Sequence, residues 1–147
     1  MPVNPITGRE ELPETVEDGI GVKSVPIVRV AKATYDFAVK GGVVGDIPLD
    51  DVVPLGAVIV GGYLRVLTAV TGGANATAAV KVEGAADIVA AAVVTGAPWS
   101  TTGFKSVIPV ATGATMLITT AKRRITVTVA VADLTAGKFD VMLFYHK

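Results

Sequence analysis

The chain has 147 residues, with 13 basic and 13 acidic side chains and no cysteine. Its length suits one domain able to bury a core, its zero net charge lacks the broad basic field of non-specific nucleic-acid binding, and the missing cysteines exclude disulfide frameworks, thiolate zinc sites and thiol nucleophiles. Val (26), Ile (9) and Thr (16) make up over a third of the residues, while good helix formers other than Ala are scarce, so the composition points to an all-β chain. A hydrophobic fraction of 51% and a mean hydropathy of +0.60 are high for a chain without a membrane-length helix. Small apolar side chains of this kind tile sheet faces and flat subunit interfaces. The expectation is an oligomer or assembly component, set against a sandwich that simply buries both inner faces.

Residues 1–24 hold two bases and five acids, for a net charge of −3, with three prolines in the first 22 positions and no sustained apolar period. They read as an extended N-terminal arm, either solvated or seated on a neighbour. There is no basic segment followed by an apolar core, so no secretory signal is expected. Residues 25–147 read as the folded domain. Residues 25–30 alternate, with Pro26 at an edge or strand start. Residues 32–39 alternate more cleanly, placing Ala33, Tyr35, Phe37 and Val39 inward, and Gly41-Gly42 turns the chain.

Residues 43–49 form a short strand closed by Asp50-Asp51 and Pro54. Residues 57–70 are the longest strand candidate, with a bulge or sharp bend expected at Gly61-Gly62. A turn over residues 71–75 leads into residues 77–83, and these two strands are expected to pair as a hairpin. Residues 84–94 (GAADIVAAAVV) fit a helical turn or a buried strand and read as mixed and partly irregular. Residues 95–103 form a loop carrying the single Trp. Short strands follow at 105–110 and 115–120, then a basic turn at Lys122, Arg123 and Arg124.

The last stretch, residues 124–147, carries the clearest period of two. Ile125, Val127, Val129 and Val131 share one face; after residues 133–137, so do Phe139, Val141, Leu143 and Tyr145. No Gly or Pro interrupts either run, so a closing hairpin is expected to be the central element. About eight short strands with regular turns describe a β-sandwich, of which the jelly roll is the commonest version.

Chemistry-bearing patterns are sparse. His146 is the single histidine and reads as a strand-end polar residue, since a metal site needs three or four convergent ligands. Asp50 and Asp51 are adjacent and point opposite ways on an extended chain. The glycine pairs lack phosphate-loop order, and Asn75-Ala76-Thr77 is a sequon without a secretory context. No cofactor and no enzyme activity are expected. Trp99 and Phe104 pack either on their own body or on a partner; Lys122, Arg123 and Arg124 form either a solvated turn or a contact with an acidic surface.

The run GGVVGDIPLDDVVPLGAVIVGGYLRVLTAVTGGANATAAVKVEGAADIVAAA, followed by TVTVAVADLTAGKFDVMLFY, resembles small capsid decoration or cement proteins of tailed bacteriophages over roughly residues 35 to 146. The resemblance rests on Asp36-Phe37 before a double glycine, VIVGGYL, the GxxD segment at 84–87, and LTAGKF at 134–139. It implies a jelly-roll sandwich made in the host cytoplasm that sits on the outer capsid surface as a homotrimer and clamps the major capsid protein, without nucleic-acid or membrane partners. The arm, with Arg9, Glu10, Glu11 and Glu14, would act as a strap. Together with Trp99, Phe104, Lys122, Arg123 and Arg124, those residues are the candidate partner contacts. Two alternatives stand beside it: another virion part, such as a head-fibre base or tail subunit, and a carbohydrate-binding sandwich stacking sugars on Trp99 and Tyr63.

Overall fold

Alternation of apolar and polar residues drives most of the chain into strands. The computed structural model describes residues 27–107, 109 and 116–147, and the expected arm lies outside them. In chain order the elements are β1 (Arg29–Asp36), α1 (Phe37–Lys40), β2 (Gly45–Val53), β3 (Val58–Gly72), β4 (Thr77–Lys81), β5 (Val89–Val93), β6 (Gly103–Ser106), β7 (Leu117–Ile118), β8 (Arg123–Ala130) and β9 (Leu134–His146). Two antiparallel sheets face each other as an all-β sandwich. One has the order β1-β9-β3-β6, with β7 also on β3; the other has the order β2-β8-β4-β5.

Both halves of the 124–147 stretch are central, but they are not a hairpin. β8 lies between β2 and β4, and β9 lies between β1 and β3 in the opposite sheet. The connection is a corner of three residues, where Val131 takes φ +72° and the Asp133 carboxylate accepts from the Val44 amide at 2.9 Å. Val131 is thereby exposed instead of joining the inward face. The same correction applies to residues 57–70 and 77–83: β3 and β4 belong to different sheets. Lateral pairing between sequence neighbours occurs instead at β4 and β5, across the segment whose sequence reads as mixed.

The inward faces meet in one core. Ala33, Tyr35, Leu64, Val66, Phe139, Val141 and Leu143 from the first sheet pack on Leu49, Val53, Val80, Ile125, Val127 and Val129 from the second. Each large aliphatic buried this way contributes roughly 1.5–3 kcal/mol relative to exposure. The bulge at Gly61-Gly62 is present as a register shift between Ile59 and Gly61 against β9. It explains how Ile59 and Leu64, five positions apart, both face inward. Tyr35 stacks on Phe139 at 4.9 Å and donates from its hydroxyl to the Gly41 carbonyl at 2.7 Å. Burial, aided by the nearby Asp36 carboxylate, pushes its phenol up to about 12.

Several strand limits differ from the sequence reading: β1 runs unbroken across residue 31, β4 ends at Lys81, and β6 starts at Gly103, inside the expected loop. β1 ends at Asp36, whose carboxylate accepts from the Ala38 amide at 3.0 Å and caps the turn α1, leaving Val39 exposed. β2 continues through Asp50-Asp51 to Val53, with a register shift between Pro48 and Val52.

Candidate partner-binding face

The outward face of the β1-β9-β3-β6 sheet divides into two regions. Register places Lys32, Met142, Tyr63 and Ser106 in one row, and Thr34, Asp140, Arg65 and Phe104 in the next. On the β1 side, polar side chains pair among themselves. Thr34 donates to Asp140 at 2.7 Å, Lys32 stands 3.9 Å from the same carboxylate, and Lys138 lies 3.4 Å from Asp36.

Towards β6 the face turns aromatic. Tyr63 meets Phe104 edge to face at 5.3 Å and Phe144 at 6.2 Å, while the Arg65 guanidinium lies over the Phe104 ring at 5.3 Å. Phe104 is 66% exposed and Val30, opposite Phe144 in register, is 53% exposed. A half-exposed aromatic cluster with an arginine, bordered by paired charges, has the composition of a protein-interface centre and its rim. The edge-to-face geometry also holds the rings in place before a partner arrives.

The candidate contact residues separate accordingly. Phe104 lies on this face. Trp99 does not: it is fully buried, with its ring 5.1 Å from Phe139, because the loop before β6 folds back so that its carbonyl accepts from the Val70 amide at 3.0 Å. Of the two roles open to Trp99, packing on its own body is the one adopted. A buried indole cannot stack a sugar, which removes Trp99, one of the two stacking residues, with Tyr63, that the carbohydrate-binding alternative calls on. Its Nε1 has no hydrogen-bond partner among the described residues.

Arg9, Glu10, Glu11 and Glu14 lie outside the described residues. The basic triplet lies on the other sheet and is not uniform. Arg123 grips Glu83, whereas Lys122 and Arg124 are exposed, Arg124 donating to the Leu49 carbonyl at 2.8 Å. His146 sits half-buried at the end of β9. Asp50 and Asp51 diverge, Asp50 to the Lys40 ammonium at 2.8 Å and Asp51 to the Lys32 amide at 2.7 Å. Among the described residues no group of three or more His, Asp and Glu converges to hold a metal, and no helix is long and apolar enough to cross a membrane.

Tyr63, Met142 and Phe144 complete the face, yet the sequence reading gives them no place in a protein interface. The available signal was parity: Phe144 falls in the outward register of Lys138, Asp140 and Met142, where a large aromatic is out of keeping with a solvated face.

No family model and no curated protein matches the sequence. Solved structures do. The chain is similar to a chain of the cyanophage Pam1 capsid asymmetric unit, with a TM-score of 0.58 and 19% identity over 99% of this chain and 99% of that one. It is similar to a chain of the acidic stable capsid of Helicobacter pylori bacteriophage KHP30, with a TM-score of 0.56 and 16% identity over 84% and 90%. A chain of the Ralstonia phage GP4 capsid aligns with a TM-score of 0.56 and 25% identity over 88% and 92%. The structural neighbours of this protein are therefore chains of phage capsids, matched along most of both partners.

Proposed function

We propose that the protein is a virion structural protein, specifically a decoration or cement subunit on the outer surface of a phage head. The observation that carries this reading is the match to capsid chains over most of each chain, at 25% identity for the Ralstonia phage GP4 capsid. Coverage of 99% on both sides for the Pam1 chain means that a chain of similar length shares the fold. The alternation of strands between sheets, with orders β1-β9-β3-β6 and β2-β8-β4-β5, supports reading the sandwich as a jelly roll, an architecture used by capsid domains.

In this reading the subunit is made in the host cytoplasm, assembles as a trimer and bridges neighbouring major capsid proteins, with the Tyr63–Phe104–Phe144 face as one contact and residues 1–24 as the strap. Its action is mass action: a protein that binds only the assembled shell lowers the free energy of that shell. The reading is non-enzymatic, in keeping with neighbours that are capsid chains.

The test is co-sedimentation of the purified protein with heads of the same phage lacking it, with the solution mass measured alongside by light scattering. A trimer that pellets with heads, and pellets more weakly when residues 1–22 are deleted, is the expected result. Failure of the full chain to pellet would overturn the cement reading and move attention to another virion location.

A further inference from the structure

The outward face of the β2-β8-β4-β5 sheet carries a cleft of about 380 Å³ lined by Lys81, Glu83, Lys122, Arg123 and Arg124 among others. Four cations against one carboxylate leave it net positive. Its internal pairings are unequal. Arg123 is satisfied by Glu83, with Nε donating to Oε1 at 2.9 Å and Nη2 to Oε2 at 3.1 Å, and Lys81 is satisfied by Asp46 at 2.6 Å. Lys122 and Arg124 are exposed and have no carboxylate within 4.0 Å among the described residues.

The complementary charge is in the same chain. Glu10, Glu11, Glu14, Glu17 and Asp18 fall within nine positions, and residues 1–24 carry −3 against +3 for the rest. We propose that in the free subunit the cleft is the docking site of this acidic segment, residues 10–18, with its carboxylates meeting Lys122 and Arg124.

The path is short enough. Lys32 of β1 bonds Asp51 of β2 through its amide, and Val52 of β2 is the register partner of Arg124, so the strand that follows the arm runs beside the sheet bearing the cleft. The eight residues 19–26 span about 26 Å when extended, more than two strand spacings plus the roughly 10 Å between stacked sheets. Carboxylate–guanidinium and carboxylate–ammonium contacts at a rim of this kind are charge-assisted and screened by salt. This docking does not depend on the virion reading, and its test requires no capsid.

The experiment is hydrogen exchange of the full-length chain, following the amides of residues 10–18 at about 0.01 M and about 1 M salt, where the screening length falls from about 30 Å to about 3 Å. Protection is expected at low salt and lost at high salt. It should fall about tenfold in Lys122→Glu/Arg124→Glu and return when Glu10→Lys, Glu11→Lys and Glu14→Lys are added to that variant. Lys122→Glu alone guards against misfolding, since Lys122 makes no ion pair with the described body; unchanged exchange across β8 and β9 certifies the fold. Arm amides that exchange at the unprotected rate at low salt, or protection that survives the cleft reversals, would overturn the proposal. In the second case a surface other than this cleft holds the arm.

Discussion

Arg123 and Glu83 are joined by two hydrogen bonds, at 2.9 and 3.1 Å, that fasten the start of β8 to the loop after β4. Thr120 adds its amide at 3.1 Å and its hydroxyl to the same carboxylate. Those donors, Arg123 first, hold Glu83 down at about 2 from an ordinary 4.5, and the Glu83 carboxylate in turn raises Arg123.

The sign of the resulting pH dependence follows. A carboxyl whose folded-state pKa is depressed stabilises the fold above its unfolded value and loses that contribution as pH falls through the folded value. The thermal midpoint of Glu83→Gln should therefore lie below that of the wild type at neutral pH. The gap should close between about pH 4.5 and about pH 2, followed by circular-dichroism melts.

The second prediction concerns the bulge in β3. A Cβ on Gly62, whose φ is +156°, would stand 2.1 Å from the Met142 carbonyl oxygen, whereas one on Gly61 would meet nothing within 4 Å. Gly62→Ala should force β3 away from β9 and cost more than about 1 kcal/mol, and Gly61→Ala should cost less than that or be neutral. Urea unfolding of the two variants side by side measures the difference.

Trp99 gives the third. With its ring buried against Phe139, Trp99→Ala should lose about 3–5 kcal/mol of stability, the usual cost of removing a large aromatic from a core. A variant as stable as the wild type would show that the indole does not pack in the core.

Val129 lies in central β8 and is 1% exposed. Val129→Asp places an unpaired carboxylate between the sheets, at several kcal/mol against a total stability of about 5–15. Loss of the cooperative thermal transition is the expected outcome, read by differential scanning calorimetry.

Phe104 is the reverse case. Because the ring is mostly exposed, Phe104→Ala should leave the melting temperature within a few degrees of wild type. Under the proposed function it should weaken binding to heads about tenfold or more, as removal of an aromatic interface anchor does. Quantitative co-sedimentation separates the two effects.

The period of two was legible where it mattered for burial. Ile125, Val127 and Val129, and Phe139, Val141 and Leu143, lie inward as their spacing requires, and Gly61-Gly62 marks the bulge. The partner face was only half legible. Phe104 stood out as an aromatic beside glycine, but Tyr63, which it touches, and Phe144, which touches Tyr63, come from strands 40 and more positions away and gather only through the pairings of β3 with β6 and β9.

The sequence by itself determined the class: alternating β-branched residues, short turns and no cysteine leave a packed sheet protein as the outcome. Which strands pair was decided by tertiary structure. In a sandwich both sheets bury one face against the other, so a strand shows the same alternation whether its successor lies beside it or crosses to the opposite layer. Local pattern cannot separate a hairpin from a corner. The corner at Val131–Asp133 depends on Asp133 reaching the Val44 amide, 89 positions away, and the burial of Trp99 depends on its loop closing onto Val70. These are long-range contacts, and they exist only once both sheets are assembled.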